Sequence, residues 1–133
     1  MTLLEDIIKY LTSLHIVEGD GIDAYRDFMP DKPDNIMALY EYKGDPVLPH
    51  TDVVHRSVQV VVRNKSVKAA VQKAMQLCSA FIKSDEAQRI NFTLYRWGQV
   101  HVRQTPIKIK QDDKGRVYYG FNLGITTTLK QEE

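Results

Sequence analysis

Residues 55–82 read HRSVQVVVRNKSVKAAVQKAMQLCSAFI, and a change of period inside this stretch decides the fold. Up to Arg63 the pattern alternates. Val58, Val60 and Val62 share one face of a β-strand, while Ser57, Gln59, Val61 and Arg63 take the other. Asn64 or Ser66 then suits the start of a helix, because a short side-chain oxygen there accepts a hydrogen bond from an amide the first turn leaves unpaired. From Val67 the apolar positions are 67, 70, 71, 74, 75, 77, 78 and 81, a spacing that predicts one buried helical stripe, with Lys68, Gln72, Lys73, Gln76 and Ser79 facing water. No group able to do chemistry stands out in this strand and helix, so the stretch reads as scaffold.

Working outward to the N-terminus, Thr2-Leu3-Leu4-Glu5 has the form of a capping box and predicts a helix carrying Leu3, Leu4, Ile7, Ile8, Leu11 and Leu14 on one stripe. Between His15 and Asp34 the glycines and prolines predict turns, with short extended pieces at Ile16-Val17 and around Tyr25 and Phe28. Asn35 to Tyr42 alternates with apolar residues on both faces, Ile36, Ala38, Tyr40 and Tyr42 against Met37, Leu39 and Glu41, which predicts a strand inside a sheet. Lys43 to Val54 holds Gly44, Pro46 and Pro49 and reads as a long loop, of the kind that binds something or moves.

Working outward to the C-terminus, Ile90 to Trp97 reads as a strand broken by Gly98, and a second strand runs through Val100 and Val102 until Pro106 interrupts it. Ile107–Lys110 and Arg116–Asn122 flank Asp112-Asp113-Lys114-Gly115, a hairpin loop whose glycine suits the left-handed position. A threonine-rich strand from Ile125 to Leu129 ends the chain before a polar tail. The expected order is helix, one or two strands, helix, then several strands. That is one α+β domain over residues 1–133, a mostly antiparallel or mixed sheet with two amphipathic helices on one face.

The chain of 133 residues is long enough for one core, and with 43% hydrophobic and 26% charged residues it has the composition of a soluble globular protein. No apolar run reaches the roughly 20 residues of a membrane span, and no secretory signal pattern is visible, so no membrane partner and a cytoplasmic location are expected. Cys78 is the only cysteine, at a helix-core position, which leaves no intramolecular disulfide and no thiolate zinc site within one chain. The net charge of +1 hides a split: residues 1–52 hold eleven acidic and four basic side chains, residues 53–133 six acidic and fourteen basic. Such a split fits self-association of opposite patches, and fits nucleic-acid binding less well because the basic residues are spread over several elements.

Signatures of catalysis are missing: there is no GxGxxG, phosphate loop, nucleophile elbow or HExxH. No catalytic residue, metal ligand or cofactor is expected. His50, Asp52 and His55 bring metal ligation to mind, but without a further ligand nearby they read as a polar loop leading into the strand. His101, between two valines, reads as a solvent-facing or interface residue. Tyr95, Trp97, Tyr118, Tyr119 and Phe121 with Arg96, Arg103 and Arg116 make an aromatic and basic mixture. On an open sheet face it would stack nucleobases; the preferred reading divides it between the core and a subunit interface.

SVQVVVRNKSVKAAVQKAMQL at 57–77 and VHVRQTPIKIKQDDKGRVYYGFNLGI at 100–125 resemble a family of small tailed-bacteriophage minor capsid proteins. The layout is also similar to that of tail-terminator and head-to-tail joining proteins. Gln59 and Arg63 before the long helix, the corner at Gln104-Thr105-Pro106, and the Asp-x-x-Gly-Arg hairpin followed by tyrosines and Asn122 carry the resemblance. It implies a virion protein without catalysis or cofactor. Such a protein assembles with itself as a ring, typically a hexamer, at the end of the tail tube, and meets tail-tube and head-connector proteins. DNA would pass through the ring without specific binding. Under this resemblance Gln59, Arg63, His50, Asp52, Arg103, Asp112, Asp113, Lys114 and Arg116 are the candidate contacts with neighbouring subunits or the tail tube.

Overall fold

The computed structural model describes residues 2–42, 52–82 and 90–129, apart from the side chains at 96, 97 and 129. Helix α1 (Leu3–Ser13) starts on the expected capping box, with both reciprocal bonds between Thr2 and Glu5 present. It ends at His15, whose φ of 60° places it in the left-handed region and turns the chain away from the helix. Three strands follow, β1 (Ala24–Arg26), β2 (Ile36–Tyr42) and β3 (Val53–Asn64), then helix α2 (Val67–Ser79) and two long strands, β4 (Tyr95–Gln111) and β5 (Val117–Leu129). They form one sheet in the order β1-β2-β3-β5-β4. The β1–β2 pair is parallel and the other pairs are antiparallel, so the sheet is mixed.

The valine alternation is what the sheet uses. Val58, Val60 and Val62 are buried beneath the helices together with Met37, Leu39, Phe121, Leu123 and Ile125. Each large apolar side chain fully buried there contributes about 2 kcal/mol. Helix α1 lies over β1 and β2, and α2 over β5, β3 and β4. The Tyr10 hydroxyl, donating to the Ala80 carbonyl at 2.6 Å, ties the two helices together. Strand β2 lies inside the sheet, as its two apolar faces require.

Three expectations need correction, and one open alternative is decided. Ile16 and Val17 belong to turns outside any strand, and only Ala24–Arg26 of the following segment pairs with the sheet. Of the two expected caps of α2, Ser66 is the one used: its hydroxyl accepts from the Ala69 amide, while the Asn64 side chain accepts from the Ser66 amide one step earlier. The α2 stripe is narrower than its apolar pattern. Ala70, Ala74, Leu77 and Cys78 are buried, whereas Val67, Val71 and Met75 are exposed on the far side.

The third correction concerns residues 90–111. Here 90–94 are not strand, and one continuous strand then runs through both Gly98 and Pro106. Register shifts beside these residues absorb the irregularity, and Pro106 is tolerated because β4 is an edge strand with no further neighbour to receive an amide. Segment 90–94 is instead held by buried Asp6 in the first turn of α1. Its carboxylate accepts from the Thr93 amide at 2.8 Å and the Thr93 hydroxyl at 2.9 Å. Phe92 thereby enters the core edge-on to Tyr95.

Candidate functional site

The helices cover one face of the sheet and leave the other to side chains alone. The registers of β2, β3, β5 and β4 lay that open face out in rows: Ala38–Val61–Gly120–Ile107, then Tyr40–Gln59–Asn122–Gln104, then Tyr42–Ser57–Gly124–His101. The middle row is polar, and the Asn122 amide donates to Gln104 at 3.1 Å. Gly120 and Gly124 leave hollows that long side chains of β4 lean into. A Cβ on Gly120 would meet Ile109 Cδ1 at 2.6 Å, and one on Gly124 would meet His101 and Arg103 at 2.4–2.5 Å.

The two sides of this face differ in chemistry. Toward β1 it is aromatic: Tyr25 meets Phe28 edge-on at 5.7 Å, and Phe28 is 58% exposed. Toward β4 it is basic and aliphatic, with Ile107 51% exposed and the Lys110 ammonium 4.7 Å from the centre of the Tyr118 ring. Near the centre, Arg103 donates to Ser57 at 3.2 Å and His55 Nδ1 lies 3.1 Å from the Thr126 hydroxyl. Partial burial, then the charges of Arg103 and His55, pull the His101 imidazole pKa below that of ordinary histidine.

At one end of the face two arginines hold the turn at residues 30–34. Arg63, only 2% exposed, donates to the carbonyls of Pro30, Asp31, Pro33 and Asp34. Arg116, 5% exposed, donates to the Asp31 carbonyl and to the carboxylates of Asp31, Asp34 and Asp112. The expected hairpin is present, with Gly115 at a φ of 77°. Asp112 closes it by accepting from the Lys114 and Arg116 amides and from the Tyr118 hydroxyl. Burial works to raise the Asp112 pKa, but these bonds and the Arg116 guanidinium outweigh it and hold it at about 2. Arg116 is raised in turn: burial opposes its charge, and Asp112 and Asp31 restore and stabilise it.

The candidate contact residues therefore fall into separate groups. Arg63 and Arg116 are buried and bonded within the chain; the local Asp112–Arg116 bond belongs to the hairpin, but the sequence did not signal the burial, because the other acceptors are backbone carbonyls and carboxylates about 30 and 80 residues away. Asp112 closes its own hairpin. Gln59 is half-buried on the polar row, and Arg103 is exposed on the same face. Asp113 and Lys114 are exposed at the hairpin tip, where Lys114 reaches Asp31 at 2.6 Å. Asp52 is exposed before β3. His50, with most of the Lys43–Val54 loop, lies outside the described residues.

The aromatic and basic mixture is dispersed. Tyr95 and Phe121 are buried in the core, Tyr119 packs against it, and Tyr118 is on the open face. Cys78 is fully buried, which pushes its thiol pKa up. Among the described residues no group of three or more His, Cys, Asp or Glu side chains is placed to hold a metal ion, and no helix is long and apolar enough to cross a membrane.

A mixed five-stranded sheet with two helices on one face and an open, partly aromatic, partly cationic surface on the other places the chain among small α+β proteins. The model of the family described as bacteriophage tail terminator protein matches residues 10–129, from within α1 to the end of β5. The chain belongs to that family. Comparison with curated proteins gives no match.

Proposed function

We propose that the protein ends the phage tail as a non-catalytic structural ring, built from copies of itself, at the junction between tail and head. The family match over residues 10–129 carries this reading. Placement in the virion, contacts with tail-tube and head-connector proteins, and passage of DNA through the ring without sequence-specific binding follow from it. So does assembly in the host cytoplasm before incorporation. The hexamer is the favoured ring size. The exposed apolar side chains at the two edges of the sheet, Phe28 on the β1 side and Ile107 with Ile109 on the β4 side, support the reading as places where a second copy can pack.

The test is direct. The purified chain is sized by light scattering and imaged by electron microscopy, alone and with polymerised tail-tube protein. Closed rings, or caps on tube ends, are expected. A chain that stays monomeric at high concentration and leaves tube ends bare overturns the proposal.

A further inference from the structure

The sheet carries opposite charge at its two edges. Residues 18–34, which contain edge strand β1, hold six acidic side chains against Arg26 and Lys32. The other edge strand, β4, holds Arg96, Arg103, Lys108 and Lys110 and no acidic residue. Each edge also exposes apolar side chains: Phe28 beside Tyr25 at the first, Ile107 and Ile109 at the second. Much of the acidic charge at residues 31–34 is consumed within the chain by Lys65, Lys114 and Arg116. Asp20 is shared with Arg26, and exposed Asp27, just after β1, has no ion-pair partner among the described residues. Across the sheet, Lys108 likewise has none among the described residues.

We infer that the β1 edge of one copy docks on the β4 edge of the next, with Asp20 and Asp27 facing Lys108 and Lys110 around a contact of Phe28 with Ile107 and Ile109. The inference rests on the ring reading and assigns its interface. Two different patches at opposite ends of one layer make a heterologous contact, which every copy repeats and which closes when the rotation between copies allows. Charge complementarity sets its direction, because β1 against β1 or β4 against β4 brings like charges together. Side chains rather than backbone pairing carry the contact. Strand β1 offers only three residues, and the register shifts along β4 break the regular edge that strand addition needs. The exposed apolar stripe of α2 is a poorer partner for β4, since exposed Lys68 beside it carries the same sign of charge.

Reversal of charge at either edge, followed by restoration, tests this. Lys108→Glu with Lys110→Glu, and separately Asp20→Lys with Asp27→Asn, are compared with the unaltered chain by native mass spectrometry and light scattering. Asparagine is chosen at 27 because Asp27 has a φ of 65°, a conformation asparagine adopts readily. Each pair weakens assembly about a hundredfold, since like charges at a contact cost several kcal/mol. Both pairs in one chain restore the ring. An equimolar mixture of the two variants restores only even-numbered rings of alternating copies.

Circular dichroism shows the variants folded, as exposed positions require. Rings that form unchanged in both variants place the contact elsewhere and overturn the inference while leaving the ring reading intact. An unaltered chain that never forms rings, yet caps tubes and loses that capping on charge reversal, gives these edges to the tail tube instead. That result also overturns the inference. Bare tube ends and monomers throughout overturn both readings.

Discussion

Arg63 and Arg116 donate to the same atom, the carbonyl oxygen of Asp31, at 3.2 and 2.6 Å. One arginine comes from the end of β3 and the other precedes β5, so the shared acceptor fastens the 30–34 turn to the centre of the sheet. Replacing Arg63 by methionine keeps the stem but leaves the carbonyls of Pro30, Pro33 and Asp34 without this donor, while that of Asp31 keeps Arg116. Carbonyls orphaned in a buried site cost about 1–3 kcal/mol each before water reaches them, and we expect a loss of about 3 kcal/mol. Urea unfolding measures it; a midpoint unchanged from the parent chain would show that the clamp contributes nothing.

Acid should loosen the same corner. Asp112 is held at about 2 against 3.8 for an ordinary aspartate, and Asp31 and Asp34 are also lowered, chiefly by hydrogen bonds from Lys114 and from Lys65. For a lowered carboxylate the unfolded chain binds protons first as pH falls. The stabilisation is therefore complete above pH about 4 and is lost progressively toward pH about 2. Thermal melts across this window will show the slope, and Asp112→Asn will flatten it. A slope identical in parent and variant would remove Asp112 from the account.

The stretch at 55–82 revealed the framework because both of its periods answer to one buried layer: the valines of β3 and the inner side of α2 meet over Phe121 and Leu123. The hairpin and the capping box were equally legible, since their partners are at most a few residues apart. What was not legible depends on distance in sequence. Thr93 leaves the strand pattern because Asp6 captures it, and Arg63 leaves the wet face because a turn about 30 residues earlier folds over it. The open face was readable as a set of positions. Its division into an aromatic and a cationic side needed the strand order, which no local pattern contains.

Gly98 has a different role from the strand break its composition implies. A Cβ there would lie 2.2 Å from two atoms of the Phe92 ring, so the ring packs directly on the glycine backbone. The ring is itself buried and edge-on to Tyr95, which leaves it no room to swing aside. Gly98→Ala should cost about 2 kcal/mol through overpacking. Combining it with Phe92→Leu should recover part of that loss, because the smaller side chain vacates the space. Two losses that simply add in denaturant unfolding would refute the contact.

The capture of Thr93 can be tested at its other end. Asp6 is buried in α1 and satisfies two donors of one residue, so Asp6→Ala leaves the Thr93 amide and hydroxyl without their acceptor. We expect a loss of about 2 kcal/mol. Hydrogen exchange should accelerate at the Thr93 amide well beyond the change at β3, since only the first is bonded to Asp6. Uniform acceleration across both would mean that Asp6 acts on the whole fold rather than on this segment.

Along α2 the same kind of residue has opposite values on opposite sides. Val67, Val71 and Met75 stand in water at four-residue intervals, while Leu77 has no exposed surface at all. Leu77→Ala should therefore cost about 3 kcal/mol through lost burial and the cavity left behind. Val71→Ala should stay within about 0.5 kcal/mol of the parent, because alanine is the better helix former and offsets the partial burial lost at a side chain that is 36% exposed. Met75→Gln should fall within about 0.5 kcal/mol of the parent. If Val71→Ala or Met75→Gln instead approaches the cost of Leu77→Ala in dilute, monomeric protein, the stripe is buried after all and the helix is rotated from the orientation described.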